Sequence, residues 1–174
     1  MRAVLQRVSS ATVRVEGEVV GQIGSGVLAL VAATHEDTEQ DVATMARKIA
    51  DVRILADDTS LSDHITQTSD DITQTSDDIT QTSDHVTQTK DDVTQTKDAP
   101  AALIVSQFTL YGTTKKGRRP SWSAAAPGPV AEPMVDAVAA AVRARGIEVA
   151  TGVFGAQMAV ELVNDGPFTL IVDS

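Results

Sequence analysis

Between His64 and Asp98 the chain repeats itself five times: HITQTSD, DITQTSD, DITQTSD, HVTQTKD, DVTQTKD. This repeat constrains everything around it. Each seven-residue unit offers one apolar side chain, at Ile65, Ile72, Ile79, Val86 and Val93, and a segment so poor in apolar surface cannot bury a core. Thr68, Thr75, Thr82, Thr89 and Thr96 fall three residues later, where a coiled coil wants leucine. Threonine and aspartate are also poor helix formers. A straight helix over all five units would hold its ends roughly 50 Å apart, whereas an insertion between neighbouring strands must bring them together. The repeat therefore reads as an acidic loop added to a complete domain. A helix paired with a copy of itself is the alternative. The core has to come from the two flanks.

The repeat also accounts for most of the charge. The whole chain of 174 residues carries −10. From Asp63 to Asp98 there are 9 Asp and 2 Lys, a net of −7, which leaves 15 acidic and 12 basic residues elsewhere, a net of −3. The overall acidity thus gives no reason to exclude an RNA partner. With no cysteine in the chain, disulfides and thiolate chemistry are excluded. The opening MRAVLQRVSS has no apolar core of a signal peptide. No apolar run approaches the roughly 18 residues of a membrane span. A soluble, cytoplasmic protein with no membrane partner is expected.

Outside the repeat, Arg2 to Val8 and Ala11 to Val15 alternate like strands, and Glu16-Gly17-Glu18 reads as a turn into Val19-Val20-Gly21. Gly26 to Ala33 and Ala102 to Leu110 are continuous apolar runs, as expected of strands buried on both faces. Thr38 to Ala50 has helical spacing, with Val42, Met45, Ala46 and Ile49 on one face. Val52 to Leu55 reads as a short strand. Pro133 to Arg145 reads as a helix opened by Pro133 and ended by Gly146. Ile147 to Phe154, Met158 to Val163 and Phe168 to Val172 read as strands. The predicted class is α/β of the α+β kind: one domain over 1–174, interrupted at 64–98, with mixed sheet layers and two main helices packed on one side.

Few side chains suit acid-base work. The histidines are His35, His64 and His85, and two of them lie in the repeat. His35 reads as an exposed loop residue before a helix, and nothing supports it as the base of a serine or threonine nucleophile. No His, Cys or Asp cluster has metal-ligand spacing, so no metal and no cofactor is expected. An enzyme built on this chain works without the usual side-chain bases. SQFTLYG, Ser106 to Gly112, follows an apolar strand and offers Ser106, Gln107 and Thr109 as polar groups at its end. A plain strand edge is the other reading. TTKKGRRPSW contains the dense basic cluster Lys115, Lys116, Arg118 and Arg119, with Trp122 nearby. Such a cluster attracts phosphate backbones, although it also reads as a solvated loop. Arg7 lies in a half-buried strand and wants a carbonyl or anionic partner.

Near the end, NDGPFT (Asn164 to Thr169) separates two strand-like stretches. Proline cannot donate to a ladder. Local chemistry alone favours a hairpin turn at Gly166-Pro167, and a rigid backbone device within a site is the alternative.

Taken together, MRAVLQRVSSATV, SQFTLYG followed by KKGRRPSWSAAAP, and GVFGAQMAVELVNDGPFT resemble the D-aminoacyl-tRNA deacylase family, also called D-tyrosyl-tRNA deacylases. The pieces occur in family order and span nearly all of the chain except the repeat. The resemblance implies a deacylase-type β/β/α fold and a homodimer. It implies an editing hydrolase acting on D-aminoacyl-tRNA, with tRNA and not DNA as partner. It implies a cis bond at Gly166-Pro167, whose carbonyls reach into the partner subunit's site and reject L-amino acids, glycine being small enough to enter. It further implies that Ser106, Gln107, Phe108 and Thr109 line the catalytic pocket and that main-chain N–H groups there hold the oxyanion. Either Thr109 acts as nucleophile or the 2′-hydroxyl of the terminal ribose assists water; the lack of a base beside Thr109 favours the hydroxyl. Arg7 would brace the Gly-Pro loop, with Phe154 and Met158 packed beside it or serving as plain core. Lys115 to Arg119 would meet acceptor-stem phosphates. The chain departs from the family's usual residues at Gly112, where alanine is common, and at Phe168, where valine is.

Overall fold

A computed structural model describes residues 1–65, 99–114 and 118–174. Most of the repeat, with His85, and the residues Lys115, Lys116 and Gly117 lie outside them.

One sheet organises the chain. Strand β1 (Arg2–Val15) is followed by β2 (Glu18–Ile23) and β3 (Gly26–Ala32). Helix α1 (Glu39–Asp51) then leads to β4 (Ala101–Ser106), helix α2 (Gly128–Arg143), β5 (Val149–Thr151) and β6 (Met158–Asp173). Residues 61–65 form a further short helical stretch. The two N-terminal stretches read from sequence are one continuous strand. Its first half, Arg2 to Val8, pairs antiparallel with β3, and its second half, Ala11 to Val15, pairs with β2. Strand β6 runs antiparallel along the other edge of β1 for its whole length. Beyond β3 the sheet continues in parallel through β4 to β5. The β1–β2 hairpin closes on Glu16 and Gly17, both at positive φ (51° and 88°), the conformation of a two-residue primed turn that follows strand twist.

The second half of β1 carries β2 across towards β5, curling the sheet into a near-barrel. At Gly21 a Cβ would stand 2.4 Å from the carbonyl oxygen of Thr151, so the two strands can approach only where no side chain intervenes. The two faces of β3 and β4 then feed two cores. Val27, Ala29, Val31, Ala102 and Ile104 pack with Met45 and Ile49 of α1 and Val138 and Val142 of α2. Leu28, Leu103 and Val105 point the other way, into the curl, with Val8, Val13 and Ile23. Burial on both faces is why these strands read as unbroken apolar runs. Helix α1 is held at its start by Asp41, whose carboxylate accepts 2.8 Å hydrogen bonds from the Thr38 amide and hydroxyl.

Several sequence expectations are corrected. Val52 to Leu55 is not a strand; Leu55 turns back to donate its amide to Thr59. Strand β4 stops at Ser106, and Phe108–Tyr111 is a 3₁₀ turn instead of more strand. Helix α2 starts at Gly128, five residues before Pro133, which sits inside it. Of Ile147 to Phe154, only Val149–Thr151 pairs in the sheet. Asn164 to Thr169 is not a hairpin. The chain continues in the same direction, and a bulge in β6 lies opposite Arg7, since Val8 pairs with Asn164 while Gln6 pairs with Thr169. A proline is compatible with a bulge because no ladder bond is demanded of it. No helix among the described residues is long and apolar enough to cross a membrane.

Candidate active site

Parallel strands β3 and β4 end side by side, and the polypeptide leaves the sheet there in two directions. Gln107 is tied to that end by its amide, which donates to the Val31 carbonyl at 2.7 Å. The following 3₁₀ turn is closed by Leu110 and Gly112 amides bonding back to Gln107 and Thr109 carbonyls at 3.1 and 2.8 Å. The amides of Phe108 and Thr109 open that turn, so they have no partner within it.

A cavity of about 490 Å³ lies over this edge. Its floor is the end of β3 and β4, from Val31 to Ala33 and from Val105 to Phe108. One wall is the first turns of α2, with Gly128, Ala131 and Val135, and the other is Phe154 to Ala156 with Met158 and Val160. None of the described lining residues is titratable. The space is therefore an apolar room whose polar groups are main chain, the Ser106 hydroxyl and the Gln107 amide. Thr109 is exposed and is not part of the lining; its hydroxyl accepts a hydrogen bond from the Gln107 side chain. His35 is exposed outside the cavity, and His64 lies against the Thr59 hydroxyl at 3.1 Å. Among the described residues, no three His, Asp or Glu side chains stand close enough together to hold a metal ion.

Gly166 and Pro167 are elsewhere. From Met158 at the cavity, β6 runs six residues to Asn164 before the bulge begins, roughly 20 Å at strand rise. The Gly166–Pro167 peptide bond is cis. Arg7 organises the bulge from below. Its Nε donates to the Asp165 carbonyl at 2.9 Å, its Nη2 to the Gly166 carbonyl at 3.2 Å, and its Nη1 to the Ile54 carbonyl at 3.1 Å. It pairs with the Asp165 carboxylate at 2.9 Å, and its guanidinium lies 4.6 Å from the centroid of the Phe168 ring. The planar fork of arginine suits such a set of fixed acceptors. Asn164 completes the frame, donating to the Arg7 carbonyl at 2.8 Å and the Phe168 carbonyl at 3.2 Å.

The structure thus brings Ser106, Gln107, Phe108, Phe154 and Met158 together around one cavity and groups Arg7, Gly166 and Pro167 at a second place. Phe154 and Met158 line the cavity and do not flank their own chain's Gly-Pro bulge. Arg118 and Arg119 are exposed; Lys115 and Lys116 lie outside the described residues. Sequence reasoning missed the α2 wall and the role of Asn164. The small residues Gly128, Ala131, Gly155 and Ala156 were the available signal, since only short side chains leave such a space beside a sheet.

Comparison with known proteins finds relatives over the whole chain. The D-Tyr-tRNA(Tyr) deacylase family model matches residues 4–77 and 64–173. The chain is similar to the D-aminoacyl-tRNA deacylase of Beutenbergia cavernae, 47% identical over 175 residues with 100% of each chain covered. It is also similar to that of Streptomyces coelicolor, 49% identical over 174 residues with 99% of each covered. Among solved structures, a c-Myc DNA unwinding element binding protein superposes with a TM-score of 0.74 at 30% identity, over 100% of this chain and 99% of its own. A probable eukaryotic D-amino acid tRNA deacylase shares the fold with a TM-score of 0.71 at 17% identity, over 99% and 98%.

Proposed function

Because the chain belongs to the D-aminoacyl-tRNA deacylase family, we propose that it is an editing hydrolase that cleaves the ester between a D-amino acid and the 3′ end of tRNA. The observation that carries this reading is the cavity of about 490 Å³ at Ser106 to Phe108 with no titratable residue among its described lining. Such a room suits a reaction whose reactive groups come with the substrate. Water adds to the ester carbonyl, and the negative charge that develops on its oxygen is met by the amides of Phe108 and Thr109. Donors fixed before the reaction cost no reorganisation when the charge appears. The tetrahedral intermediate then collapses, breaking the bond to the ribose oxygen and releasing the free D-amino acid and an uncharged tRNA.

The 2′-hydroxyl of the terminal ribose assists the water, because the described partner of the Thr109 hydroxyl is the Gln107 side-chain amide, a donor that cannot take its proton. Ser106 and Gln107 orient the terminal adenosine. Lys115, Lys116, Arg118 and Arg119 meet acceptor-stem phosphates.

Selection against L-amino acids requires a second copy of the chain. Among the described residues no strand pairs with the outer edge of β6, and this strand exposes Leu162, Val163, Phe168 and Ile171. A long, apolar, unpaired edge is a ready surface for pairing. A homodimer formed there delivers the partner's Gly166-Pro167 main chain to the cavity, between Phe154 and Met158. Its carbonyls accept the ammonium group of a D-amino acid and leave no room for an L side chain. Rejection by main chain is indifferent to side-chain identity, so glycine enters as well.

Single-turnover hydrolysis of one tRNA charged with D- or L-tyrosine tests the reading. Fast loss of the D ester with the L ester spared is expected. Survival of the D ester on bound tRNA overturns it. A terminal 2′-deoxyadenosine should slow the D reaction by about a hundredfold or more, and Thr109→Val by about tenfold or less. The opposite order would make Thr109 the nucleophile.

A further inference from the structure

Aromatic residues are scarce in this chain: 3 Phe, 1 Trp and 1 Tyr. Two of them stand together in solvent. Phe108 and Trp122 are 56% and 40% exposed, and their rings meet edge-to-face with centroids 5.7 Å apart and planes at 70°. Large aromatic surface left in water beside a site calls for a ligand with a flat face. Phe108 belongs to the cavity wall and Trp122 does not, so the indole stands outside the cavity against one of its wall residues.

Two further features fix and equip the indole. A Cβ on Gly112 would stand 3.1 Å from the indole Nε1 and 2.9 Å from the Thr109 carbonyl oxygen. The backbone of Gly112 is ordinary (φ −64°, ψ 130°), so it is the close approach of the Thr109 carbonyl, with the indole packed just beyond it, that favours glycine there. Thr113 and Ser121 pair at 2.9 and 3.0 Å, which ties the indole to the base of a loop whose Arg118 and Arg119 are exposed. An aromatic face with exposed arginines on the same loop suits an unpaired nucleotide, the ring stacking on the base and the cations facing the phosphate.

We propose that Trp122 is a positioning residue, a stacking platform for the unpaired base that precedes the terminal adenosine of the substrate RNA. The inference rests on the function proposed above. With the terminal ribose at Ser106 to Phe108, the preceding nucleotide must pass over Phe108. In either sense of the edge-to-face contact, at least one indole face is left uncovered by Phe108. Stacking there sets the direction in which the 3′ end enters and takes no part in the chemical step.

Trp122 is the sole tryptophan, so its emission reports on this site alone. The full chain is titrated with an uncharged RNA hairpin ending in single-stranded CCA, and saturation is followed independently by anisotropy of a labelled copy. Saturable quenching is expected. The same RNA with an abasic site in place of the last cytidine should bind about tenfold more weakly, the equivalent of about 1.4 kcal/mol, and without quenching. Trp122→Ala should raise KM for the D-aminoacyl-tRNA about tenfold with kcat within about twofold, and Trp122→Phe should restore most of the loss. Unchanged emission at saturating RNA, or an unchanged KM in Trp122→Ala, overturns the proposal. Wild-type deacylation is read alongside: if it is present while stacking fails, only the role of Trp122 falls, and if it is absent, the functional reading falls first.

Discussion

The cavity and the β6 bulge are built by opposite means. The cavity is formed by what is missing: short side chains on α2 and the 154–156 turn leave space, and among the described residues no charge enters its wall. The bulge is formed by what is added. One arginine donates to three carbonyls and pairs with a carboxylate, and Asn164 ties the two sides together. The first is a room that accepts a substrate. The second is a rigid, exposed piece of main chain that is held in shape but has nothing in its own chain to act on. They are separated along β6, and that separation is why a second copy enters the functional proposal.

The largest expected effect comes from keeping the two regions apart. Val163, 58% exposed, lies on the unpaired edge of β6. Val163→Glu places a charge there and should yield a folded monomer by sedimentation. Its deacylation rate should fall by about a hundredfold or more at submicromolar protein, the cost of losing a surface that desolvates the site. A fully active monomer would mean that one chain suffices.

A smaller effect is expected from loosening the bulge with the dimer intact. Arg7→Ala removes three charge-assisted bonds to carbonyls and the contact with Phe168. The ratio of D to L hydrolysis should fall about a hundredfold, equivalent to ~2.7 kcal/mol, with D turnover less affected. Arg7→Lys should recover little, since a point charge cannot span three acceptors. An unchanged ratio would separate Arg7 from chiral selection and leave it a stabilising residue.

The smallest effect concerns acid stability, away from both regions. Hydrogen bonds from Ser174, and then from the hydroxyl and amide of Thr38, lower the Asp41 carboxyl from 3.8 to about 2. The Arg2 hydrogen bond lowers Asp173 in the same direction. A carboxyl whose folded pKa is depressed contributes stability above its unfolded pKa, and the contribution disappears as pH falls through the folded value. Asp41→Asn should therefore flatten the loss of stability between about pH 4 and pH 2, measured by urea unfolding at each pH. An equally steep limb in the variant would assign acid sensitivity to the other carboxyls.

Much of the frame was legible in the residues. Gly26 to Ala33 reads as a two-sided buried strand because both its faces meet cores, and Thr38 to Ala50 reads as a helix because its apolar face is one stripe. The failures share a cause. Pro133 looks like a helix opener, yet the helix begins at Gly128 because packing of Ala131 and Val135 extends it backwards past the proline. Gly166-Pro167 looks like a hairpin, yet β1 is long enough to pair on both sides of it. In each case a local breaker was outvoted by a partner distant in sequence. The α2 wall of the cavity was missed for a related reason: its small residues were a signal, but alanines at helical spacing look the same whether they fill a core or border a space.

By itself the sequence determined that two strands are buried on both faces, and that the stretch Ser106 to Thr109 at the end of one of them carries hydroxyls and an amide with no histidine near it in the chain. These follow from composition and spacing, which act locally. Only the tertiary structure decided that β6 is one bulged strand, that Arg7 grips its carbonyls, and that the cavity and the bulge stand apart. Strand pairing and the approach of main chain to main chain join residues more than 150 positions apart, and no local pattern encodes which of the possible partners will be met.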